Sequence, residues 1–157
     1  MRSRTIGLAI VSVVVVSCID PLTAPPCAAT TLTVASTSAD TSIINTGLKY
    51  INTELANGGL VEWCRAVAIH YDAYLLDGTK FDSSSVVGPL LFTPGVGDLI
   101  DGLEQGVVGM RVQGKRRLIV PPELGFGSEP RRNETGDIVV PGNSTVVYDV
   151  QVISIGQ

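Results

Sequence analysis

The 157-residue chain contains one histidine, His70, and three cysteines, Cys18, Cys27 and Cys64. That inventory limits the covalent and metal chemistry open to it. A hydrolytic triad needs a histidine poised between a nucleophile and an orienting partner. His70 lies in a run where apolar and polar residues alternate, and two-residue alternation puts it on the face opposite Tyr71. It reads as a structural histidine hydrogen-bonded on an outer face. Two cysteines and one histidine at these spacings match no zinc pattern, so no metal is expected. Gly95-Val96-Gly97 begins like a nucleotide loop, but Ile100 stands where a third glycine belongs and no P-loop lysine follows. No cofactor is expected. The informative stretch is Ile69–Ser84, IHYDAYLLDGTKFDSS, which gathers Tyr71, Phe81 and Asp82 around one turn.

The elements that position these residues follow from periodicity. Val67, Ile69, Tyr71, Ala73 and Leu75 alternate with more polar neighbours, which predicts a half-buried central strand over Glu62–Leu76. Asp77-Gly78 predicts a tight hairpin turn, since both residue types tolerate positive φ. A last strand is expected over Val146–Ile155, with Val146, Tyr148, Val150 and Val152 facing one way and Asp149 and Gln151 the other. Leu99, Ile100, Leu103 and Val107 recur at helical spacing, with acidic residues near the start, which predicts one short helix. Ser128–Ile138, with Pro130, Arg131, Arg132 and Glu134, reads as a polar, charged loop that either influences substrate preference or is an inert solvated insertion. Aromatics make up 5% and charged residues 17%, while glycine and proline are frequent, as in a turn-rich β fold. The formal charge of −4 argues against nucleic acid as a partner. Lys115-Arg116-Arg117 does not reverse this: alternation along a strand splits it between faces, and a solvated surface is expected there.

Arg2 and Arg4 precede an apolar run, Ile6–Val16, too short to span a bilayer comfortably. The run ends in Val15-Val16-Ser17-Cys18, which resembles the lipobox of bacterial lipoprotein signal peptides. The resemblance implies a signal peptide over 1–17, cleavage before Cys18, and acylation of that cysteine as a membrane anchor. The alternative is an ordinary signal peptide cut elsewhere. Ile19 gives no acidic signal for inner-membrane retention, so the expected location is the bacterial cell envelope, at the periplasmic side of the outer membrane. Residues 18–41, rich in Pro, Ala, Ser and Thr, read as a tether; Thr31-Leu32-Thr33-Val34 has the alternative of pairing onto a sheet edge. Cys27 and Cys64 are expected to bridge in an exported protein, the alternative being two free thiols.

Three spaced motifs carry a further resemblance. Ile69–Ser84, Pro94–Gly106 (PGVGDLIDGLEQG) and Lys115–Gly127 (KRRLIVPPELGFG), with Val139–Thr145 (VVPGNST) after them, resemble the FK506-binding-protein (FKBP) type of peptidyl-prolyl isomerase. The likeness covers about Gly47–Gln157, within a domain read as 42–157. It implies an α+β fold, a curved antiparallel sheet wrapped around one short helix. It implies a pocket in which Tyr71, Phe81, Asp82, Ile100, Phe126 and Tyr148 act on the substrate and Leu90, Leu99, Leu103 and Val140 help bind it. Ile100 would hold a substrate carbonyl through its N–H, and Asp82 would hydrogen-bond Tyr71. The implied partners are proline-containing polypeptides and, more weakly, FK506-like macrolides; a monomer is the simpler expectation. Three departures stand out: Ala73 replaces a usual glycine, Leu103 an aromatic floor, and Phe126 a frequent tyrosine. A non-catalytic chaperone or binding module on the same scaffold is the alternative.

Overall fold

The computed structural model describes residues 41–156, with 32–36 and the single positions 27 and 29. The signal peptide and Cys18 lie outside the described residues. In chain order the strands are β1 (Val34–Ser36), β2 (Ser42–Ile44), β3 (Lys49–Glu54), β4 (Val67–Leu75), β5 (Lys80–Ser83) and β6 (Leu90–Phe92). Helix α1 (Asp101–Val107) follows, then β7 (Lys115–Val120), β8 (Arg131–Arg132), β9 (Ile138–Val140) and β10 (Val146–Ile155). All pairings are antiparallel, in the order β1-β2-β3-β7-β10-β4-β5, with β6 also on β4. The α+β architecture expected above is the one found: an eight-stranded sheet with, among the described residues, one α-helix on its inner face, and β8–β9 as a separate two-stranded sheet.

Strand β10 lies beside both β4 and β7, and its alternation is strict: Val146, Tyr148, Val150 and Val152 are buried. They meet Ile69, Ala73, Leu118 and Val120 in the core, beneath α1. The helix lies close to β7 because two glycines face it. A Cβ on Gly102 would collide with Val120, and one on Gly106 with Leu118. This Gly-x-x-x-Gly step was not singled out by periodicity.

Four local readings change. The central strand begins at Val67 rather than Glu62, because Trp63–Arg65 make a turn in which Cys64 has φ 63°. Within the segment read as a tether, Val34–Ser36 pairs with β2; the expected bridge between Cys27 and Cys64 is present, with Cα atoms 5.5 Å apart. Residues 128–138 are not an irregular loop: β8 pairs with β9. The Asn133 carboxamide oxygen caps the connecting turn, accepting N–H bonds from Thr135 (3.1 Å) and Asp137 (2.8 Å).

Finally, Arg116 is not a surface residue. It alternates inward with Leu118 and Val120 and is only 6% exposed. Its guanidinium donates to the carbonyls of Gly106 (2.7 Å) and Val108 (3.3 Å) at the end of α1 and to Asn52 (2.8 Å). It also lies 4.1 Å from the centre of the Tyr50 ring. Burial pulls its pKa down to about 10, with Tyr50 opposing. Lys115 and Arg117 face outward and pair with Glu54 and Asp149.

Candidate active site

The turn at Asp77-Gly78 is what brings the first three site residues together. Gly78 takes φ 89°, and the Asp77 carboxylate accepts the Thr79 N–H at 2.8 Å. The chain then returns as β5, with Ala73 opposite Asp82 and Asp72 opposite Ser83. Tyr71 on β4 and Tyr148 on β10 share the inner face, their ring centroids 5.8 Å apart. Phe81 on β5 meets Tyr148 edge-on at 6.2 Å and Phe126 edge-on at 6.1 Å. Edge-to-face rings at these separations attract one another beyond simple burial. Four aromatic rings thus form one continuous wall. Three of them are half-buried, while Tyr148 is 4% exposed and forms its base.

The segment leading into α1 holds the next group of expected site residues. Leu99 and Ile100 are half-buried against the core, and Leu103 is buried, 3% exposed. The Ile100 carbonyl accepts the N–H groups of Leu103 and Glu104, whereas its own N–H has no partner among the described residues. Glu104 orders this segment. Its carboxylate is 4% exposed and accepts N–H bonds from Gly95 (2.8 Å), Gly97 (3.4 Å) and Leu99 (3.1 Å). A negative group in the first turn also suits the helix dipole. Leu90 on β6 is half-buried beside Ile69, and Val140 at the end of β9 is fully buried. Val140 therefore packs behind the wall and offers no surface of its own.

Asp82 carries the charge of the site. One carboxylate oxygen accepts the Ser83 N–H at 2.9 Å, and the other faces the Arg131 guanidinium at 3.5 Å. Arg131 also lies over the Phe126 ring, 5.2 Å from its centre. Sequence reasoning placed this arginine in a loop over the pocket, but nothing in a charged stretch marks which residue reaches the site. Burial, then the charge and hydrogen bond of Asp82, raise the Tyr71 pKa above the ordinary phenol value, with Arg131 opposing. Burial is also the main cause of the upward shift of Tyr148.

His70 lies outside this constellation. On the outer face of β4 its Nδ1 is 3.0 Å from the Ser84 hydroxyl, which also accepts the Tyr71 N–H at 2.9 Å. A groove of about 620 Å³ runs over that outer face, lined by His70, Asp72, Ser84, Arg117 and Asp149 among others. Its principal charges are already paired: Arg117 grips Asp149 through two bonds of 2.6 and 2.7 Å, and Lys80 holds Asp72 at 2.9 Å. The aromatic wall with the open Ile100 N–H is the better candidate for chemistry.

Comparison with known proteins agrees with this geometry. Residues 63–153 match the family model described as FKBP-type peptidyl-prolyl cis-trans isomerase. The chain is 39% identical over 130 residues to a photosynthetic NDH subunit of lumenal location from Arabidopsis thaliana, covering 78% of this chain and 60% of that one. It is 48% identical over 88 residues to FK506-binding protein 2 of Dictyostelium discoideum, covering 55% and 62%. The chain thus spans about three fifths of the length of these two curated relatives. Among solved structures, AtFKBP13 superposes with a TM-score of 0.68 at 30% identity, over 75% of this chain and 100% of the other. With the family model matching more than half of its length, the chain belongs to the FKBP-type peptidyl-prolyl cis-trans isomerase family.

Proposed function

We propose that this protein is itself a peptidyl-prolyl cis-trans isomerase, acting on exported polypeptides. The observation that carries the proposal is the four-ring wall of Tyr71, Phe81, Phe126 and Tyr148; the Ile100 N–H, without a partner among the described residues, supports it. Amide resonance sets a barrier of about 18–20 kcal/mol to rotation of the peptide bond. At the twisted transition state that resonance is lost, and with it much of the bond's polarity. An apolar cradle accepts the twisted imide better than the planar, hydrated one, so it binds the transition state in preference to the ground state. The Ile100 N–H holds a substrate carbonyl and fixes the axis of rotation. Asp82 polarises the rim of the site beside Tyr71. Leu90, Leu99 and Leu103 supply apolar surface around the proline ring, with Val140 packed behind. The mechanism requires neither a covalent intermediate nor a cofactor.

A second reading is a binding module without turnover. Leu103, almost wholly buried, gives the proline ring a small floor. Phe126 lacks a hydroxyl to donate to a substrate carbonyl, a bond worth about 1 kcal/mol. A protease-free isomerisation assay on Leu-Pro and Phe-Pro peptides separates the two. Acceleration suppressed by FK506 supports the enzyme; binding of the same peptides without acceleration supports the module.

An extracytoplasmic location fits the bridge between Cys27 and Cys64, which persists in oxidising compartments. It also fits a relative named for its lumenal location. We assign the anchor to an acylated Cys18 in a bacterial envelope, with residues 1–17 removed. Metabolic labelling with a palmitate analogue tests this: label lost in Cys18→Ser supports it, and unlabelled wild-type protein refutes it.

A further inference from the structure

We propose that Arg131 is a specificity-determining residue that favours proline segments carrying a carboxylate next to the X-Pro bond. The inference rests on the proline-binding reading of the aromatic wall. Arg131 and Arg132 are neighbours on a two-residue strand whose register shifts between them, and their side chains make different contacts. Arg132 turns back into its own hairpin, its Nη1 donating to the Gly136 carbonyl at 2.8 Å. Arg131 turns toward the site, between the Asp82 carboxylate and the Phe126 ring.

Its geometry there is only partly committed. A guanidinium has five N–H donors in a planar fork. Among the described residues its ion-pair partner is Asp82, through one nitrogen at 3.5 Å, and its side chain stays 43% exposed. A fork spent on Asp82 would show two short bonds, as Arg117 does with Asp149. Arg131 instead keeps donors for an incoming group. The guanidinium lies 5.2 Å from the centre of the Phe126 ring, and the hairpin is stiffened by the Asn133 cap. Its charge also reaches the Tyr71 and Tyr148 hydroxyls, where it opposes their upward shifts. The positive charge thus sits at the edge of the ring wall, beside Asp82 and Phe126, within reach of groups that flank a bound proline. A lysine, with a mobile point charge, would not be held in this way.

The test uses the whole protein with three fluorescent peptides that differ only at X of X-Pro: Glu, Leu and Lys. Both the dissociation constant, by anisotropy, and kcat/KM, by the protease-free assay, are measured at 20 and 500 mM salt. An exposed pair of this kind is worth roughly a threefold preference. The wild type is expected to favour Glu over Lys by about that factor at low salt, and the preference should shrink at high salt. Arg131→Gln should abolish it, Arg131→Lys should retain part of it, and Arg132→Gln should leave it intact. A uniform fall for all three peptides in Arg131→Gln overturns the proposal, because a bracing role moves every substrate alike. Charge-selective binding without turnover keeps this inference and removes the enzymatic reading. Turnover without charge preference does the reverse. Peptides that neither bind nor turn over remove both.

Discussion

Glu104 offers the sharpest handle on how the fold builds the site. Its carboxylate holds the N–H groups of Gly95, Gly97 and Leu99, the stretch that ends at Ile100. Replacing it with alanine deletes all three bonds. The Gly97 bond is long, and Gly97 is exposed, so water replaces it at little cost. The bonds to Gly95 and Leu99 are shorter, and both residues are half-buried. Hydrogen bonds to a charged group contribute about 1.5–3 kcal/mol each. Removing a buried carboxylate recovers part of that through its own desolvation. Glu104→Ala should therefore destabilise the protein by about 3 kcal/mol, lowering Tm by about 10 °C for a domain of this size. Glu104→Gln keeps one acceptor oxygen but turns an NH₂ group toward backbone donors, so it should recover only part of the loss. Urea unfolding followed by circular dichroism gives the numbers. An alanine variant within about 0.5 kcal/mol of wild type, the usual range for a neutral surface change, would refute this role for the carboxylate.

Three other perturbations have defined outcomes. Replacing Cys27 and Cys64 together with serine opens a bridge across 37 positions and should cost about 2–4 kcal/mol in urea unfolding. Arg116→Met should cost about 2–4 kcal/mol, because the Gly106 and Val108 carbonyls lose their donor inside the protein; a neutral result would mean that water replaces the guanidinium. Both site tyrosines have folded pKa values raised above the ordinary 10.0. Raised values favour the protonated folded state, so their contribution is complete below pH 10 and is lost as pH rises through the folded values. Ultraviolet titration should show two late phenols, and Asp82→Asn should bring both earlier, since the Asp82 charge raises each.

The parts of this molecule that were legible in its sequence obey a period. Strand β10 buries every second residue, and the Asp77-Gly78 hairpin follows from two residue types that accept its backbone. The ring cluster could be listed residue by residue from motif resemblance. What escaped lies in side chains of ambiguous type. A glutamate in a first helical turn reads the same whether it faces water or, as Glu104 does, three backbone donors. Arg116 sits in a basic triplet that looks solvated, and only the closure of α1 over β7 gives its guanidinium acceptors. Arg131 lies in a stretch whose polarity reads as a loop. Its inward turn depends on β8 pairing with β9, a two-residue contact too short to produce a pattern. The Gly102 and Gly106 pair was readable in principle as small residues one helical turn apart, but hydrophobic spacing alone passes over them.

The central claim is that the aromatic wall and Asp82 turn over X-Pro bonds. It is tested most directly by kcat/KM for a Leu-Pro peptide in the protease-free assay, comparing wild type with Phe81→Ala and Asp82→Ala. Unfolding curves for each must show that the variants remain folded. The account predicts clear acceleration by wild type and a loss of about tenfold or more in each variant, a change of about 1.4 kcal/mol or more in transition-state binding. Folded wild-type protein that gives no acceleration, or variants that match a catalytically active wild type, would contradict it.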